Sequence, residues 1–405
     1  MIINNSEKRK YNIFDIFVFI LITTLSFGGI GGAFAPVRII VLLLSLYLCG
    51  KLNHRDYKYV KPIKILFVTC IIWCVFSLLW SYDKAEGIQS IIYYIIHFFL
   101  FIEIIVFSKN AVNPFKTITL GWITAFSLTA IIALWEISTD SHLSISKFGS
   151  GMSMNMGDGN IVYHPYASAT FTNYNTYVTF VCYCLPFIFK YITDIIKINF
   201  KLIFAIMILI AAIYILITNA SRGGTISLVL MLIVFISSYK SIFLKLCISL
   251  CIIGFILYVG DDFLIFVEHR FSEKTNINEE GRFDLWLSGL SILKDTLFLG
   301  TGIGGTINAM KFHTNMNIHV MHNFFVEIIV ELGLLMSLII YYYIYSLFRD
   351  CLLMKNSATK LSLRCAIVAS PFYFIVNSTY LLFPITFAFF ASLYVFCYYE
   401  TKIKI

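Results

Sequence analysis

The chain has 405 residues, of which 59% are hydrophobic and 13% are charged, and its formal net charge is +8. Soluble domains carry about 25% charged residues, so this composition excludes a soluble protein and indicates a chain surrounded by lipid. The basic excess does not require nucleic acid, because most of the 30 Lys and Arg residues fall in short loops between apolar runs. We therefore expect no nucleic-acid partner.

Apolar runs of about 20 residues are long enough to cross a bilayer as helices. The sequence contains twelve such runs, at 13–30, 35–50, 63–81, 88–107, 115–136, 173–192, 200–217, 224–239, 242–259, 323–347, 365–382 and 384–399. These runs predict an all-α integral membrane protein with about twelve transmembrane helices. Residues 1–405 then form a single polytopic domain.

The Lys and Arg residues predict how the chain is oriented. A cytoplasmic N-terminus gives every short interior loop at least two basic residues, which is the positive-inside bias. Both termini are then cytoplasmic, and two long loops are exterior, at 137–172 and, between the ninth and tenth spans, at 260–322. None of the ten cysteines lies in either loop, which excludes a disulfide-stapled exterior domain and cysteine-based metal binding there.

Four clusters of polar residues fall on the predicted exterior face, and the first is the turn TNASRGGT at 218–225. Ser221 is expected to cap the following helix, which places Arg222 beside the positive end of that helix. A cation is unfavourable there unless an anion binds. The alternative is an arginine that extends to the membrane interface beside a glycine turn.

The second cluster lies in the long exterior loop, where Arg270 and Arg282 occur. Arg282 begins a probable helix and repeats the arrangement of Arg222, although a salt bridge to a nearby acidic residue is the alternative. The apolar spacing along that helix predicts a helix lying on the membrane or on the bundle, with a stripe formed by Trp286, Leu290, Leu293 and Leu297.

The third cluster, GTGIGG at 300–305, is a weak match to a phosphate-binding glycine motif because it follows no predicted strand. A turn that returns the chain to the bundle is the favoured interpretation.

The fourth cluster is MHNFFVEIIVELG at 321–333. His322 stands before the tenth span, where a helix N-terminus lowers the pKa of an imidazole and keeps it able to accept a proton. Asn323, Glu327 and Glu331 follow at intervals of four, so they share one face of the helix. Polar residues within a span are candidates for function. The alternative is that His322 caps the helix and that Glu327 and Glu331 are paired structurally. A metal site with the nearby His313 and His319 is disfavoured.

Taken together, these motifs resemble the O-antigen ligase and polymerase superfamily. HNFFVEIIVELG is similar to its His-Asn-x9-Gly motif, SRGG to its Ser-Arg-Gly turn, and GRFDLW followed by GTGIGG to its exterior-loop pattern. ATFTNYNTY at 169–177 is similar to its Gly-Thr-Phe…Asn segment, with Ala169 in place of the usual glycine. The order and spacing of the motifs, the twelve spans and the long loop extend the resemblance over nearly the whole chain.

The resemblance implies a membrane glycosyltransferase with a GT-C-like architecture that acts at the periplasmic face of the bacterial inner membrane. Its donor is an undecaprenyl-diphosphate-linked oligosaccharide, and it needs no nucleotide, metal or other cofactor. Polymerases transfer the glycan to a lipid-linked repeat unit, whereas ligases transfer it to lipid A-core. A chain-length regulator and a flippase are further expected partners.

In the mechanism that we expect, Arg222 and Arg282 hold the diphosphate and His322 is the general base of an inverting transfer. The residues expected to bind substrate are Arg270, Ser221, Asn323, Glu327, Glu331, Asn173, Asn175 and Trp286. Polymerase is favoured over ligase. The rival of another class, a flippase for lipid-linked oligosaccharides, is disfavoured because the sequence shows no internal repeat and its polar residues collect at one face.

Overall fold

The computed structural model describes most of the chain. The described residues are 11–51, 60–147, 152–155, 161–195, 200–219, 221–238, 279–314, 320–354, 357–378 and 380–399. Within them the helices are α1 (Ile13–Thr23), α2 (Pro36–Lys51), α3 (Lys61–Ser77), α4 (Lys84–Asn110), α5 (Pro114–Thr139), α6 (Tyr174–Asp194), α7 (Phe200–Thr218), α8 (Arg222–Ser237), α9 (Glu279–Asp295), α10 (Thr306–His313), α11 (Phe324–Leu352), α12 (Ser357–Tyr373) and α13 (Pro384–Tyr398).

The helices agree with the predicted class of protein. Five of them, α4, α5, α6, α7 and α11, are long and apolar enough to cross a membrane. Every predicted span overlaps a helix, except the span at 242–259, which lies outside the described residues. The helical membrane class is therefore confirmed, while the number of twelve spans remains a prediction.

The first long loop contains a small sheet that the all-α prediction did not include. Strands β1 (Met152–Asn155) and β2 (Ile161–His164) pair antiparallel, with Met152 opposite His164 and Asn155 opposite Ile161. The hairpin follows α5 and precedes α6, so it is an insertion that leaves the helical order unchanged.

Aromatic rings fill the centre of the helical bundle. The Trp122 ring of α5 stacks on Phe187 of α6 with centroids 5.1 Å apart, and its indole N–H donates to Ser392 Oγ of α13 at 3.0 Å. The Tyr183 ring stacks on Phe389 at 4.2 Å. Large rings bury much apolar area with few rotatable bonds, and a buried indole N–H requires an acceptor. These contacts join α5, α6 and α13 into one core.

The predicted tenth span is wrong as a single straight helix, because α11 reverses direction at Gly333. The backbone of Gly333 is non-helical, with φ 76° and ψ 172°. Beyond it, the Tyr341 hydroxyl donates to the Phe325 carbonyl, and the two rings lie 5.6 Å apart. A straight helix would separate these residues by about 24 Å. The first arm, residues 324–332, therefore folds back along the second arm, residues 334–352.

Close backbone contacts hold the reversal in place. Leu334 N donates to Phe298 O at 2.9 Å, and Trp73 Nε1 donates to Leu332 O at 2.7 Å. A Cβ on Gly333 would overlap the Leu299 carbonyl. Only glycine combines this positive φ with so close an approach. Any other residue at position 333 is therefore incompatible with the turn.

Helix α9 packs against the first arm of α11, which is the predicted placement on the bundle. The predicted stripe is buried only in part: Leu293 is buried and Trp286 is partly buried, whereas Leu290 is 43% exposed and Leu297 is 81% exposed. The buried residues of this second small core are Leu285, Ile292, Ala309, Met310, Met321 and Val330. Leu297 lies beyond the end of α9, with φ 51°. The predicted stripe therefore includes one residue that is not in the helix.

We predict that α10 is exterior and that the end of α11 is cytoplasmic. Lys311 and Leu353 are both exposed, so Lys311→Cys and Leu353→Cys can be made singly in a background without the ten native cysteines. In intact cells an impermeant thiol reagent should label the Lys311→Cys variant alone. Labelling of the Leu353→Cys variant alone would reverse the topology.

Candidate active site

The loop that joins α12 to α13, residues 374–383, organises the candidate site. It is closed internally, because Asn377 N donates to the Tyr380 hydroxyl at 2.9 Å and that hydroxyl donates to Tyr373 O at 2.8 Å. All three side chains are buried. The sequence analysis gave this loop no role, since it contains no charged residue.

His322 is held on this loop through its neighbours. Phe324 N donates to Phe374 O at 2.9 Å, and the two rings stack with centroids 4.6 Å apart. Trp286 of α9 donates its indole N–H to Met321 O at 2.7 Å. The segment around His322 is therefore tied both to the 374–383 loop and to α9.

Asn323, and not His322, begins the first arm of α11 as its N-cap, so the alternative in which His322 caps the helix is wrong. Asn323 Oδ1 accepts hydrogen bonds from Phe325 N at 3.0 Å and Val326 N at 3.2 Å. His322 immediately before it has φ 48°, a conformation that is uncommon outside glycine. The side-chain oxygen of Asn323 is thus engaged in capping, which fixes the position from which the imidazole projects.

The imidazole of His322 is half-buried, and its pKa is lowered. Burial, followed by the positive charge of Arg282, lowers its pKa from 6.5 to about 4. The predicted direction of the shift is confirmed, although the causes are burial and a guanidinium. Its Nδ1 has no hydrogen-bond partner among the described residues. A neutral ring with an uncommitted nitrogen can accept a proton.

Arg282 lies in the first turns of α9 and is also attached to the 374–383 loop. Its Nη1 donates to Ile375 O at 3.3 Å, one residue beyond the carbonyl that accepts from Phe324. Adjacent carbonyls of one loop therefore bind Arg282 and Phe324, and His322 lies two residues before Phe324. Arg270 lies outside the described residues.

The Arg222 turn packs against the same loop from the other side. A Cβ on Gly223 would lie 2.7 Å from Val376 Cγ2 and 2.8 Å from Phe372 O, so only glycine allows this approach. Ser221 occupies the N-cap position of α8, but its side chain makes no capping hydrogen bond. The expectation that Ser221 caps the helix is therefore wrong, because its hydroxyl does not meet the amides of the first turn.

The asparagines of the ATFTNYNTY segment stand at the start of α6. Asn173 is the N-cap, and its side chain accepts a hydrogen bond from Asn175 N at 2.8 Å. One residue further, the Thr176 hydroxyl donates to Asn377 Oδ1 at 3.1 Å. The start of α6 therefore meets the 374–383 loop through Thr176, one residue after Asn175.

Glu327 and Glu331 line a small cavity of about 50 Å³ together with Glu86 and Ser90 of α4. Glu331 Oε1 accepts a hydrogen bond from Gly304 N at 2.8 Å. The glycine cluster thus binds a carboxylate of the protein, and it packs tightly, with a Cβ on Gly304 lying 2.5 Å from Gly87 N. It is a structural turn, as the sequence favoured.

Several contributors were missed by the sequence analysis. Arg38 Nη2 donates to Leu382 O at 3.4 Å, and His97 Nδ1 lies 3.3 Å from Leu381 O, so both hold the far end of the 374–383 loop. Glu86 lines the small cavity that Glu327 and Glu331 also line. A charged or ionisable residue inside an apolar run is the available signal, and it applies to Arg38 and His97.

A larger apolar cavity of about 390 Å³ begins at the site and runs into the bundle. Its lining includes Leu381 of the 374–383 loop and Phe324, two residues from His322. Aromatic residues of α3, α4, the second arm of α11 and α13 line the remainder, including Phe67, Phe98, Phe387, Phe390 and Tyr394.

Within the described ranges, no group of three or more His, Cys, Asp or Glu side chains could hold a metal ion. His313, which the sequence raised as a metal candidate, pairs its Nε2 with the Tyr82 hydroxyl at 2.9 Å. His319 lies outside those ranges.

The chain matches one family model, and the match covers residues 205–341, about a third of its length. The description of that family is O-Antigen ligase. The resemblance to the O-antigen ligase and polymerase superfamily is confirmed. The matched segment extends from α7 into the second arm of α11 and includes Arg222, Arg282 and His322. Among curated proteins, none matches the chain.

The pKa of His322 leads to a prediction for the pH dependence of activity. Because the pKa is near 4, kcat/KM should not fall as pH decreases through 6.5, and its acid limb should lie well below that value. Arg282→Gln removes a positive charge, so the pKa of His322 should rise and the acid limb of the residual activity should move to higher pH.

The measurement is the pH profile of kcat/KM for both proteins, with His313→Ala as a control that leaves the limb in place. An identical acid limb with and without Arg282 would contradict the proximity of the guanidinium to His322.

Proposed function

We propose that the protein is a membrane glycosyltransferase of the O-antigen ligase and polymerase type. It transfers an undecaprenyl-diphosphate-linked glycan to a sugar hydroxyl at the periplasmic face of the bacterial inner membrane. The observation that carries the proposal is that the Arg222 turn, Arg282 and the His322 segment all attach to one buried loop. They also lie within the segment that matches O-Antigen ligase.

Arg222 and Arg282 hold the diphosphate of the donor. Arg222 is the first residue of α8 and Arg282 lies in the first turns of α9, so each guanidinium stands beside the positive end of a helix. An anion offsets both unfavourable placements. Guanidinium forks match phosphate oxygens bidentately, and they stabilise the charge that grows as the diphosphate departs.

His322 removes the proton from the acceptor hydroxyl. The hydroxyl oxygen forms a bond to the anomeric carbon, and the carbon–oxygen bond to the diphosphate breaks, with its electron pair leaving on the diphosphate. Attack opposite the leaving group inverts the anomeric centre. The proton passes to the unprotonated ring nitrogen of His322, which is available because the pKa of His322 is lowered. The transfer uses no nucleotide and no metal ion.

The apolar cavity of about 390 Å³ accommodates part of an isoprenoid chain. It reaches Phe324, two residues from His322, so a lipid held there would present its head group at the site. The polar chains around that head group, including Glu327, Glu331 and Trp286, bind sugar hydroxyls and rings. Asn173, Asn175 and Ser221 border the same region.

The acceptor is proposed to be a lipid-linked repeat unit, which makes the protein a polymerase. Lipid A-core is the alternative acceptor and would make it a ligase. Supplying both acceptors to the purified protein distinguishes them, because a polymerase lengthens the lipid-linked glycan whereas a ligase consumes lipid A-core. A chain-length regulator and a flippase are the proposed partners.

The first test is His322→Ala, compared with His313→Ala as the matched control. Loss of a general base lowers the rate about 10²–10⁴-fold, so His322→Ala should abolish product in cells while the protein still reaches the membrane and retains donor. In a purified assay the residual rate should rise with pH as hydroxide replaces the base. His313 is exposed and paired with Tyr82, so its removal should leave the rate unchanged.

Normal turnover by His322→Ala would remove His322 as the base. Glu327→Gln and Glu331→Gln are expected to be milder, because an amide still hydrogen-bonds a sugar. A dead Glu→Gln variant beside an active His322→Ala would assign the base to that carboxylate.

The second test is Arg222→Lys, which keeps the charge and removes the planar fork. The transfer rate should fall about 10²-fold, on the scale of losing one transition-state donor. Arg349→Lys is the control, because Arg349 is paired with Asp350 at the far end of α11. Full activity of an Arg222→Lys, Arg282→Lys double variant would show that neither arginine binds the diphosphate bidentately.

A further inference from the structure

Glu136, in the last turn of α5, holds the backbone of the segment before α6. It is fully buried, and its Oε2 accepts hydrogen bonds from Ser168 N at 2.8 Å and Ala169 N at 2.7 Å. Ala169 has φ 48°, so the carboxylate stabilises a turn that its residue type disfavours. A single side chain thus fixes two consecutive amides.

Asn219 continues this arrangement along the same segment. It is buried at the end of α7, and its Oδ1 accepts a hydrogen bond from Ala167 N at 2.7 Å. Three consecutive amides, from 167 to 169, are therefore bound by Glu136 and Asn219. On the other side, Thr170 O accepts from Gly29 N at 2.9 Å, so the segment is fixed at both ends.

This cluster also buries polar atoms at a cost in folding free energy. Ser168 Oγ and Asn219 Nδ2 are buried and have no hydrogen-bond partner among the described residues. A buried polar atom without a partner costs about 1–3 kcal/mol. Buried polar atoms without partners require an explanation. The position of Asn219 next to the Arg222 turn indicates one.

Asn219 lies three residues before Arg222, in the short link from α7 to α8. Its side chain therefore fixes this link to residues 167–169, which Glu136 fixes to α5. The turn also lies close to α6, because a Cβ on Gly224 would lie 2.5 Å from Val178 Cγ1. The position of Arg222 relative to α5 and α6 thus depends on the Glu136–Asn219 contacts.

We propose that Glu136 and Asn219 are positioning residues that set Arg222 for binding a diphosphate, acting through the backbone of residues 167–169. This inference rests on the proposed function, since it presumes that Arg222 binds the donor. Neither residue touches the substrate, because both are buried beneath the segment that they hold.

The experiment measures binding of undecaprenyl diphosphate to the purified full chain, with undecaprenol as the probe that lacks phosphate. Glu136→Ala and Asn219→Ala should each weaken undecaprenyl diphosphate binding about tenfold, which corresponds to ~1.4 kcal/mol, and raise the donor KM by a similar factor. Undecaprenol binding should not change. Glu136→Gln should bind within about twofold of the original, because one amide oxygen can accept both backbone N–H groups.

Glu103→Ala is the matched control. Glu103 is a fully buried carboxyl in α4 that accepts a hydrogen bond from Ser45 at 2.7 Å. Its loss should lower the melting temperature without weakening diphosphate binding. Comparing melting temperatures across these variants separates lost stability from lost positioning.

Each outcome decides the proposal. If Arg222→Ala weakens diphosphate binding while Glu136→Ala and Asn219→Ala do not, the positioning role is overturned and the proposed function stands. Equal loss in Glu136→Gln and Glu136→Ala would also overturn it, because the negative charge would then be required. If Arg222→Ala itself binds undecaprenyl diphosphate normally, the diphosphate role of Arg222 fails, and this inference fails with it.

Discussion

Backbone carbonyls in apolar surroundings must be hydrogen-bonded, and in this protein that requirement assembles the candidate site. The 374–383 loop is buried among the helix ends, so its carbonyls take donors from neighbouring elements. Phe374 O accepts from Phe324 N, Ile375 O from Arg282, and Leu382 O from Arg38. The groups that satisfy the loop are the same groups that carry or adjoin the candidate chemistry, so the position of each depends on the others.

The reversal at Gly333 has a comparable effect on the carboxylates. Because the first arm of α11 folds back, its Glu331 meets Gly304 N and, with Glu327, faces Glu86 across a small cavity. His322 lies before this arm, where the charge of Arg282 acts on it. The members of the polar stripe therefore have different charged neighbours.

The guanidinium of Arg282 unites two requirements of the proposed transfer. Its positive charge, together with burial, keeps His322 unprotonated, and the same charge is suited to a diphosphate. Binding an anion at Arg282 would partly neutralise that charge and raise the affinity of His322 for a proton. The base would then become stronger when the donor is in place.

Local features of the sequence determined the membrane class, the positions of most helices, and the start of α11 at Asn323. Hydropathy over about 20 residues and the chemistry of an N-cap are properties of a short segment, and they require no knowledge of distant contacts. The motifs around Arg222, Arg282 and His322 were likewise readable, and the family match includes all three.

Only the tertiary structure decided how those segments meet. The run containing Gly333 is apolar on both sides, so no local signal separates a straight span from a reversal that depends on Phe298, Leu299 and Trp73. The face of α9 that is buried against α11 and α10 includes Leu285 and Ile292, which lie outside the predicted stripe. The 374–383 loop and Glu136 act through backbone groups of remote segments, and sequence patterns do not record which remote amides a buried side chain will satisfy.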